Sequence, residues 1–278
     1  MSNKKEVLLY SAGLDSFLTA SYLKTSGSNP DLVYFDSGAR CCDYEVDLMQ
    51  SHYFKNTTGF NVEIRKELNF SAIEQDDAFI PNRNILAAVC AHGLKNYDII
   101  YIGNSLSDRV NDNNEKVFNK LSELLSMMYD KEIKVTSPFY NEHKCDILKN
   151  GIENGWLFSS NLCDIYNMTF SCYNPVKEPI RINAINHCDK KHIISTHECG
   201  CCPACLRKRI CFYICGFYVP MVRNDESEKL IDKYYNEAIS WKKLSGLNDY
   251  YNIMKSRFDS TIFYCERVNM SWNRRIKN

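Results

Sequence analysis

Short apolar runs and amphipathic stretches alternate along the first half of the chain, punctuated by small or polar residues. Glu6-Val7-Leu8-Leu9-Tyr10 is a strand-length apolar run that stops at Ser11-Ala12-Gly13, the pattern of a strand buried in a parallel sheet. Residues 15–24 read as a helix, with Phe17, Leu18, Ala20, Tyr22 and Leu23 at its apolar positions. The series continues with a strand over 31–35, a helix over 42–57, a strand over 61–65 and a helix over 84–95. A strand over 97–102, a helix over 117–129 and a strand over 132–135 follow. This β-α succession at crossover spacing predicts an α/β fold, a mostly parallel, doubly wound sheet with helices on both faces. Ligands of such sheets bind outside the carboxyl ends of the strands, so the loops after Tyr10, Phe35 and Ile102 are the informative ones.

The second half is patterned differently. Residues 174–198, with Pro175, Pro179 and scattered polar positions, read as a loop insertion. Beyond residue 206 the chain is aromatic and helical, for example over 230–242, with Tyr234, Tyr235, Trp241, Tyr250 and Tyr251. Three parts are expected: an α/β domain over 1–170, a small region over 171–216, and a helical extension over 217–278.

Composition narrows the function. Of 278 residues, 45% are apolar and 24% charged, with a formal net charge of zero. A protein built to grip a phosphate backbone is usually basic, which argues against nucleic acid as a bulk partner. The local runs Arg207-Lys208-Arg209 and Arg274-Arg275-Ile276-Lys277 read as a solvated face and a frayed terminus. No leader-like segment opens the chain and no run approaches about 20 apolar residues, so a cytoplasmic protein with reduced thiols is expected, no membrane among its partners. Most of the 14 cysteines are then small buried hydrophobes or idle thiols. Cys41-Cys42 raises thiol chemistry, but no base can be placed beside it, and filler is the simpler reading.

Cys199, Cys202 and Cys205 form a C-x2-C-x2-C ladder, with Gly200 and Pro203 where the backbone must bend. Three thiolates on a tight loop suit tetrahedral zinc, with a fourth ligand from elsewhere. Near the other end, Ser11-Ala12-Gly13-Leu14-Asp15-Ser16 joins a strand to a helix. Small residues there let backbone N–H groups and the helix N-terminus meet phosphate oxygens. Asp15 either holds Mg2+ against a pyrophosphate or caps the helix.

The loop Ser11–Ser16 resembles the S-G-G-x-D-S signature of the PP-loop ATP pyrophosphatases, which cleave ATP between the α and β phosphates to adenylate a substrate oxygen. The ladder followed by Leu206-Arg207 resembles the 7-cyano-7-deazaguanine synthase (QueC-like) branch of that superfamily, whose zinc site adds the cysteine of a Ser-Cys-Tyr element. Ser171-Cys172-Tyr173 matches that element. Phe35-Asp36-Ser37-Gly38-Ala39-Arg40 resembles the family's D-Y-G-Q-R, Ile80-Pro81-Asn82-Arg83-Asn84 its P-G-R-N, and 102–108 its I-G-x-N-x-x-D. The resemblance covers residues 6 to about 216. It implies the PP-loop, adenine nucleotide alpha-hydrolase-like fold, and an enzyme that adenylates 7-carboxy-7-deazaguanine with ATP and Mg2+. Ammonia then displaces AMP, and a second activation dehydrates the amide to a nitrile. Carried over residue by residue, Tyr10, Ser11, Ala12, Gly13, Leu14, Asp15, Ser16, Phe35 and Arg40 hold the nucleotide. Arg83, Asn84, Gly103, Asn104 and Asp108 line the substrate, and Asp15, Ser16 and Arg83 take part in the chemistry. Cys172, Cys199, Cys202 and Cys205 close a structural zinc site that needs no histidine. For Arg83 a loop-tying role, and for Asn84 a helix N-cap, stand as alternatives.

Three departures qualify the carry-over. Ala12 replaces a glycine, tolerable at negative φ and costly at positive φ. Residues 109–115 replace the family's G-Y-P-D-C-R-like stretch. Cys172 and Cys199 lie far apart, and the aromatic C-terminal region is extra. These imply a diverged member whose attacking amine is ammonia or a protein amine, the latter as in relatives found in anti-phage defence operons. The C-terminal aromatics then either dock a protein partner or form core. A zinc-ribbon binding protein without catalysis and an enzyme acting on a tRNA base are the competing readings.

Overall fold

A computed structural model describes residues 4–76, 78–106, 112–186, 188–244 and 249–272. The chain divides into two compact units, Met1–Phe170 and Ser171–Asn278. In the first unit, strands β1 (Glu6–Leu9), β2 (Asp31–Phe35), β3 (Val62–Arg65), β4 (Ile99–Ile102) and β5 (Lys134–Thr136) make a five-stranded sheet in the order β3-β2-β1-β4-β5, all parallel. Its helices are α1 (Leu14–Thr25), α2 (Cys42–Gln50), α3 (His52–Thr58), α4 (Arg83–Lys95), α5 (Glu115–Tyr129), α6 (Lys144–Glu153) and α7 (Leu162–Asn167). The mostly parallel α/β sheet expected from the sequence is the one that forms.

The apolar runs become strands because both faces are covered. Val7, Val33, Ile100 and Val135 pack on Ala88 and Ala91 of α4 and on Phe118, Leu121 and Leu125 of α5. A second cluster joins the rings of Tyr10, Phe17, Phe54, Phe60 and Phe158 edge to face or tilted, the arrangement that ring quadrupoles favour. The single helix expected over 42–57 is two, because Ser51 leaves helical geometry at ψ 143° and its hydroxyl accepts the Phe54 N–H at 3.1 Å, capping α3.

The second unit holds β6 (Ile180–Asn186), β7 (Lys191–Thr196), α8 (Pro203–Ile214), β8 (Phe217–Tyr218), α9 (Asp225–Leu244) and α10 (Asp249–Ser271). Residues 174–198, expected as a loop, instead carry an antiparallel hairpin of β6 and β7, extended by β8. The two-residue alternation of Ile180, Ile182 and Ala184 is the signal that the prolines obscured. The turn closes on Asn186, whose Oδ1 accepts the N–H groups of Cys188 and Lys190. Leu206 and Ile210 of α8 pack with Ile231 of α9 and with Tyr264, Val268 and Trp272 at the end of the chain. The buried C-terminal aromatics therefore form core.

β1 lies between β2 and β4, so the strand order reverses at the β1–β4 boundary, where the crevice of such a sheet opens. Gly103, just after β4, touches the start of α1. A methyl group on it would lie 2.7 Å from Ser16 N and 2.8 Å from Ser16 Cα. Gly103→Ala should lower unfolding stability by about 2 kcal/mol through this overpacking. Gly93→Ala, in the last turn of α4 where an added Cβ meets nothing within 4 Å, should raise it by about 0.5 kcal/mol. Denaturant titration of both variants checks the pair.

Candidate functional site

The loop after β1 is short and tightly bonded. Ala12 takes φ 55°, the left-handed region that a Cβ disfavours, and is fully buried. Its carbonyl accepts the Phe170 N–H at 2.8 Å. Gly13 is the N-cap of α1 at φ −69°, and no side chain caps the helix. The capping role left open for Asp15 is thereby excluded. Ser16 Oγ accepts the Ser11 N–H at 3.2 Å, stands 3.3 Å from Ser11 Oγ and donates to the Gly13 carbonyl at 3.0 Å. Asp15 Oδ2 pairs with Lys144 Nζ at 2.5 Å, while its Oδ1 is buried without a hydrogen bond. Leu14 and Tyr10 turn into the core, and Phe35 packs against the β-sheet core.

The other expected residues are distributed over three loops. Arg40 Nε bonds Glu74 at 2.9 Å and its Nη2 the Gln75 carbonyl at 2.9 Å, tying the loop after β2 to residues 74–76. Asn82, not Asn84, is the N-cap of α4, in left-handed geometry at φ 60°. Asn84 lies two residues later, as the second residue of the helix, and donates through its backbone and side chain to Asp112. The exposed Arg83 lies where its charge acts on Cys41, Glu45 and Asp112. Burial holds the Asp112 carboxyl above its usual range against the pull of Asn84 and Arg83. Asn104 is buried and donates to the Asn113 carbonyl at 2.5 Å. Asp108 lies outside the described residues.

Side chains that the sequence reading did not single out surround Cys41 and Cys42. Tyr34 Oη donates to Glu45 Oε2 at 2.6 Å, and Glu45 lies one helical turn from Cys41, whose carbonyl accepts the Glu45 N–H at 3.1 Å. A carboxylate thus stands beside the thiol pair, although no base could be placed there from the sequence. Burial pushes the Glu45 carboxyl up to about 7, against the opposing effects of Tyr34 and Arg83.

In the second unit Cys172, Cys199, Cys202 and Cys205 are all buried, and their sulfurs lie within 4.8 Å of one another. Cys202 and Cys205 are 3.5 Å apart, Cys199 and Cys205 4.0 Å. Tetrahedral zinc with bonds of about 2.3 Å calls for sulfurs about 3.8 Å apart, so the donor set and spacing fit that ion. The ladder is shaped by Cys202 as N-cap and Pro203 as first residue of α8, and by Gly200 at φ 71°. Cys201 is excluded from the cluster and His197 Nδ1 bonds the Val176 carbonyl instead.

The run Arg207-Lys208-Arg209, expected as a solvated face, is largely buried. Lys208 Nζ meets Glu198 Oε1 at 3.0 Å with both side chains at most 1% exposed. Glu198 also accepts the Ser171 N–H at 2.6 Å. Arg209 donates to the carbonyls of Gly200 and Pro220 at 2.9 and 2.6 Å. These charges are internal because they bind the backbone of the two cysteine-bearing segments, which a periodicity count cannot reveal. Arg274, Arg275 and Lys277 lie outside the described residues.

A family model described as queuosine biosynthesis protein QueC matches residues 46–216, a span that includes all four clustered cysteines. Curated proteins named 7-cyano-7-deazaguanine synthase are similar over most of their length. One from Psychromonas ingrahamii is 23% identical, with 80% of this chain and 99% of its own covered. One from Methanococcus vannielii is 24% identical, with 78% and 97% covered. Among solved structures, a predicted subunit of tRNA methyltransferase from Methanocaldococcus jannaschii aligns with a TM-score of 0.34 at 19% identity, over 49% of this chain and 67% of that one.

The purified protein should carry one zinc ion per chain, and Cys202→Ser should lose it and lower the thermal midpoint, since structural zinc contributes several kcal/mol to folding; metal analysis with thermal melts checks both. The raised Glu45 carboxyl makes a separate prediction. From its ordinary value of 4.5 to about 7 the folded state holds a proton that the unfolded state releases, so stability falls as pH rises through that window. Melts of Glu45→Gln between pH 4.5 and 7 should show a shallower fall than the unaltered protein.

Proposed function

The chain belongs to the QueC family, which spans more than half of its 278 residues, and we propose from this that it uses ATP to activate the carboxylate of a 7-deazaguanine and joins it to an amine. A carboxylate is a poor electrophile, and adenylation supplies a good leaving group. In the proposed sequence a carboxylate oxygen attacks the α-phosphorus and pyrophosphate departs. The amine then attacks the carbonyl carbon, forming C–N as C–O to AMP breaks. The observation that carries this reading is the Ser11–Ser16 loop at the crevice of a parallel sheet, with small residues, two hydroxyls and the N-terminus of α1 at one point.

In this reading the backbone N–H groups of 12–16 and the hydroxyls of Ser11 and Ser16 hold phosphate oxygens. The buried, unbonded Oδ1 of Asp15 fits a ligand to Mg2+, which would neutralise the departing pyrophosphate. Arg83, exposed above the carboxyl ends of the strands, pairs with the carboxylate or the transferred phosphate. Asn84, Gly103, Asn104 and Asp108 flank the base. The bonds of Arg40 to residues 74–76 suit a role in shaping the loop. Cys172, Cys199, Cys202 and Cys205 would hold zinc in a closed four-thiolate site without a position for substrate, so its part is structural. The acceptor is ammonia, or the amine of a protein partner in an antiviral role. The second is favoured by the added helices α9 and α10, where Phe263 and Met270 are 56% and 69% exposed.

Incubation with ATP, Mg2+ and 7-carboxy-7-deazaguanine should release AMP and pyrophosphate. Asp15→Ala should cut that release at least 100-fold with the thermal midpoint unchanged. Protein with intact zinc and no AMP release would instead support a binding role. Saturable stimulation by ammonium identifies ammonia as acceptor.

A further inference from the structure

Lys144 is the strongest group that the adenylation reading leaves without a task. It is the first residue of α6, and its ammonium reaches across to the first turn of α1, where Nζ stands 2.5 Å from Asp15 Oδ2. Both side chains are 19% exposed, whereas every other described ion pair of the first unit has a partner at least 35% exposed. Enclosing a lysine this far costs hydration and side-chain freedom, and a lone ion pair seldom recovers both. The first turn of a helix is also the end that disfavours a cation. Local preference therefore does not explain a lysine here. Its position is fixed from several sides. The Leu106 N–H donates to the Glu142 carbonyl at 2.8 Å and Ser137 Oγ to the Asn104 carbonyl at 3.4 Å, which ties the loop after β5 to the loop after β4. The ring centroids of Tyr22 in α1 and Phe139 in the loop after β5 lie 5.1 Å apart. One ammonium is thus brought to the Ser11–Ser16 turn at the carboxyl end of the sheet.

We propose that Lys144 is a catalytic residue of the adenylation step, the side-chain cation that receives the departing pyrophosphate, with Asp15 as the residue that positions it. The proposal rests on the adenylation reading and deepens it. In that reading Arg83 takes the carboxylate or the transferred phosphate, and Arg40 is bound to Glu74 and to the Gln75 carbonyl. The leaving group, where negative charge collects, is then left without a basic side chain among the residues of that reading. Lys144 supplies one. As the carboxylate oxygen bonds to the α-phosphorus, the bond from that phosphorus to the bridging oxygen breaks, and its electron pair stays on the pyrophosphate. Lys144 donates hydrogen bonds to that charge and keeps its proton, so no further reactant is consumed. An ammonium has three donors, so it can hold Asp15 and phosphate oxygens together. The two oxygens of Asp15 have separate tasks: Oδ2 holds the ammonium, and Oδ1, buried without a hydrogen bond, is the one that fits Mg2+. One carboxylate therefore serves both cations of the site. A charge already in place needs no reorganisation when the bond breaks.

The test uses the full chain and calorimetric binding of pyrophosphate and of α,β-methylene-ATP, each with and without Mg2+, and of AMP as the control. Lys144→Gln should weaken both phosphate probes about 10-fold or more while AMP binds as before. Release of AMP from ATP and 7-carboxy-7-deazaguanine should fall about 100-fold, and Lys144→Arg should restore part of both losses. Asp15→Asn breaks the same ion pair but leaves the ammonium, so it should bind metal-free pyrophosphate at least as tightly as the unaltered protein. Equal weakening of metal-free pyrophosphate by Lys144→Gln and Asp15→Asn, or unchanged binding in Lys144→Gln, would show that the pair serves only the fold. Either result would overturn the proposal and leave adenylation standing. AMP release by an unaltered protein that binds neither phosphate probe would overturn the proposal alone. Absence of AMP release from the unaltered protein would overturn the adenylation reading, and the proposal with it.

Discussion

The close approach of Gly103 to Ser16 is the contact on which the first unit's site depends. A parallel sheet offers a crevice only if the loop after β1 stays narrow, and here the backbone after β4 runs against the backbone at the start of α1. Only hydrogen at the Gly103 Cα leaves room. The consequence is a loop with no slack. The hydroxyls of Ser11 and Ser16 face each other, and Asp15 lies on the first turn of α1, held by Lys144 of α6. The amide groups of the loop are thereby fixed in place, which the proposed binding of phosphate would use. That is the economical arrangement, because donors ordered in advance need no reorganisation when charge moves.

The second unit solves a different problem, that of holding four sulfurs from two distant segments together. Burying Lys208 and Glu198 as a pair is costly unless the remaining bonds are made. Glu198 makes one to the Ser171 N–H, the residue before Cys172, and it precedes Cys199 itself. One carboxylate therefore ties both ends of the cysteine cluster, and Lys208 of α8 balances its charge. Arg209 does similar work at the carbonyl of Gly200, inside the ladder. Hydrophobic packing of α8 with α9 and α10 supports the helix from the other side, so the extension beyond residue 216 is part of the fold of the metal region.

The sheet, its strand runs and the three-cysteine ladder were legible because each depends on local pattern, whereas Cys172 was supplied by the resemblance. Buried strands show as apolar runs and metal loops as spacing. The burial of Lys208 and Arg209 was not, since tertiary bonds decide it; the Ser51 break between α2 and α3 and the β6–β7 hairpin were missed although a local cap and a two-residue alternation mark them. Ser51 has an ordinary helical neighbourhood until its hydroxyl takes the Phe54 N–H. Lys208 looks like any solvated lysine until Glu198 is brought to it. The same holds for Glu45, which lies one turn of α2 from Cys41 and is held by Tyr34 of β2. Motifs show residue types in order, whereas a working group is made by its partners.

Ala12 and Asn82 carry this argument to the divergence of the chain. Both stand where the resembled motifs have glycine, and both keep the positive φ that glycine would take, 55° and 60°. Both loops thus have a backbone geometry that glycine suits best, taken up here by other residues. Asparagine tolerates the left-handed region through local hydrogen bonding, but alanine has no such relief and costs about 1–2 kcal/mol there. Strain of that size persists only where the surroundings over-determine it. At Ala12 they do: the carbonyl is held by the Phe170 N–H and the methyl group is fully enclosed. Enclosure offsets part of the cost, since burying a methyl group contributes about 0.8 kcal/mol. The loop is therefore held by its packing and hydrogen bonds rather than by the freedom of a glycine, which leaves it less able to change shape.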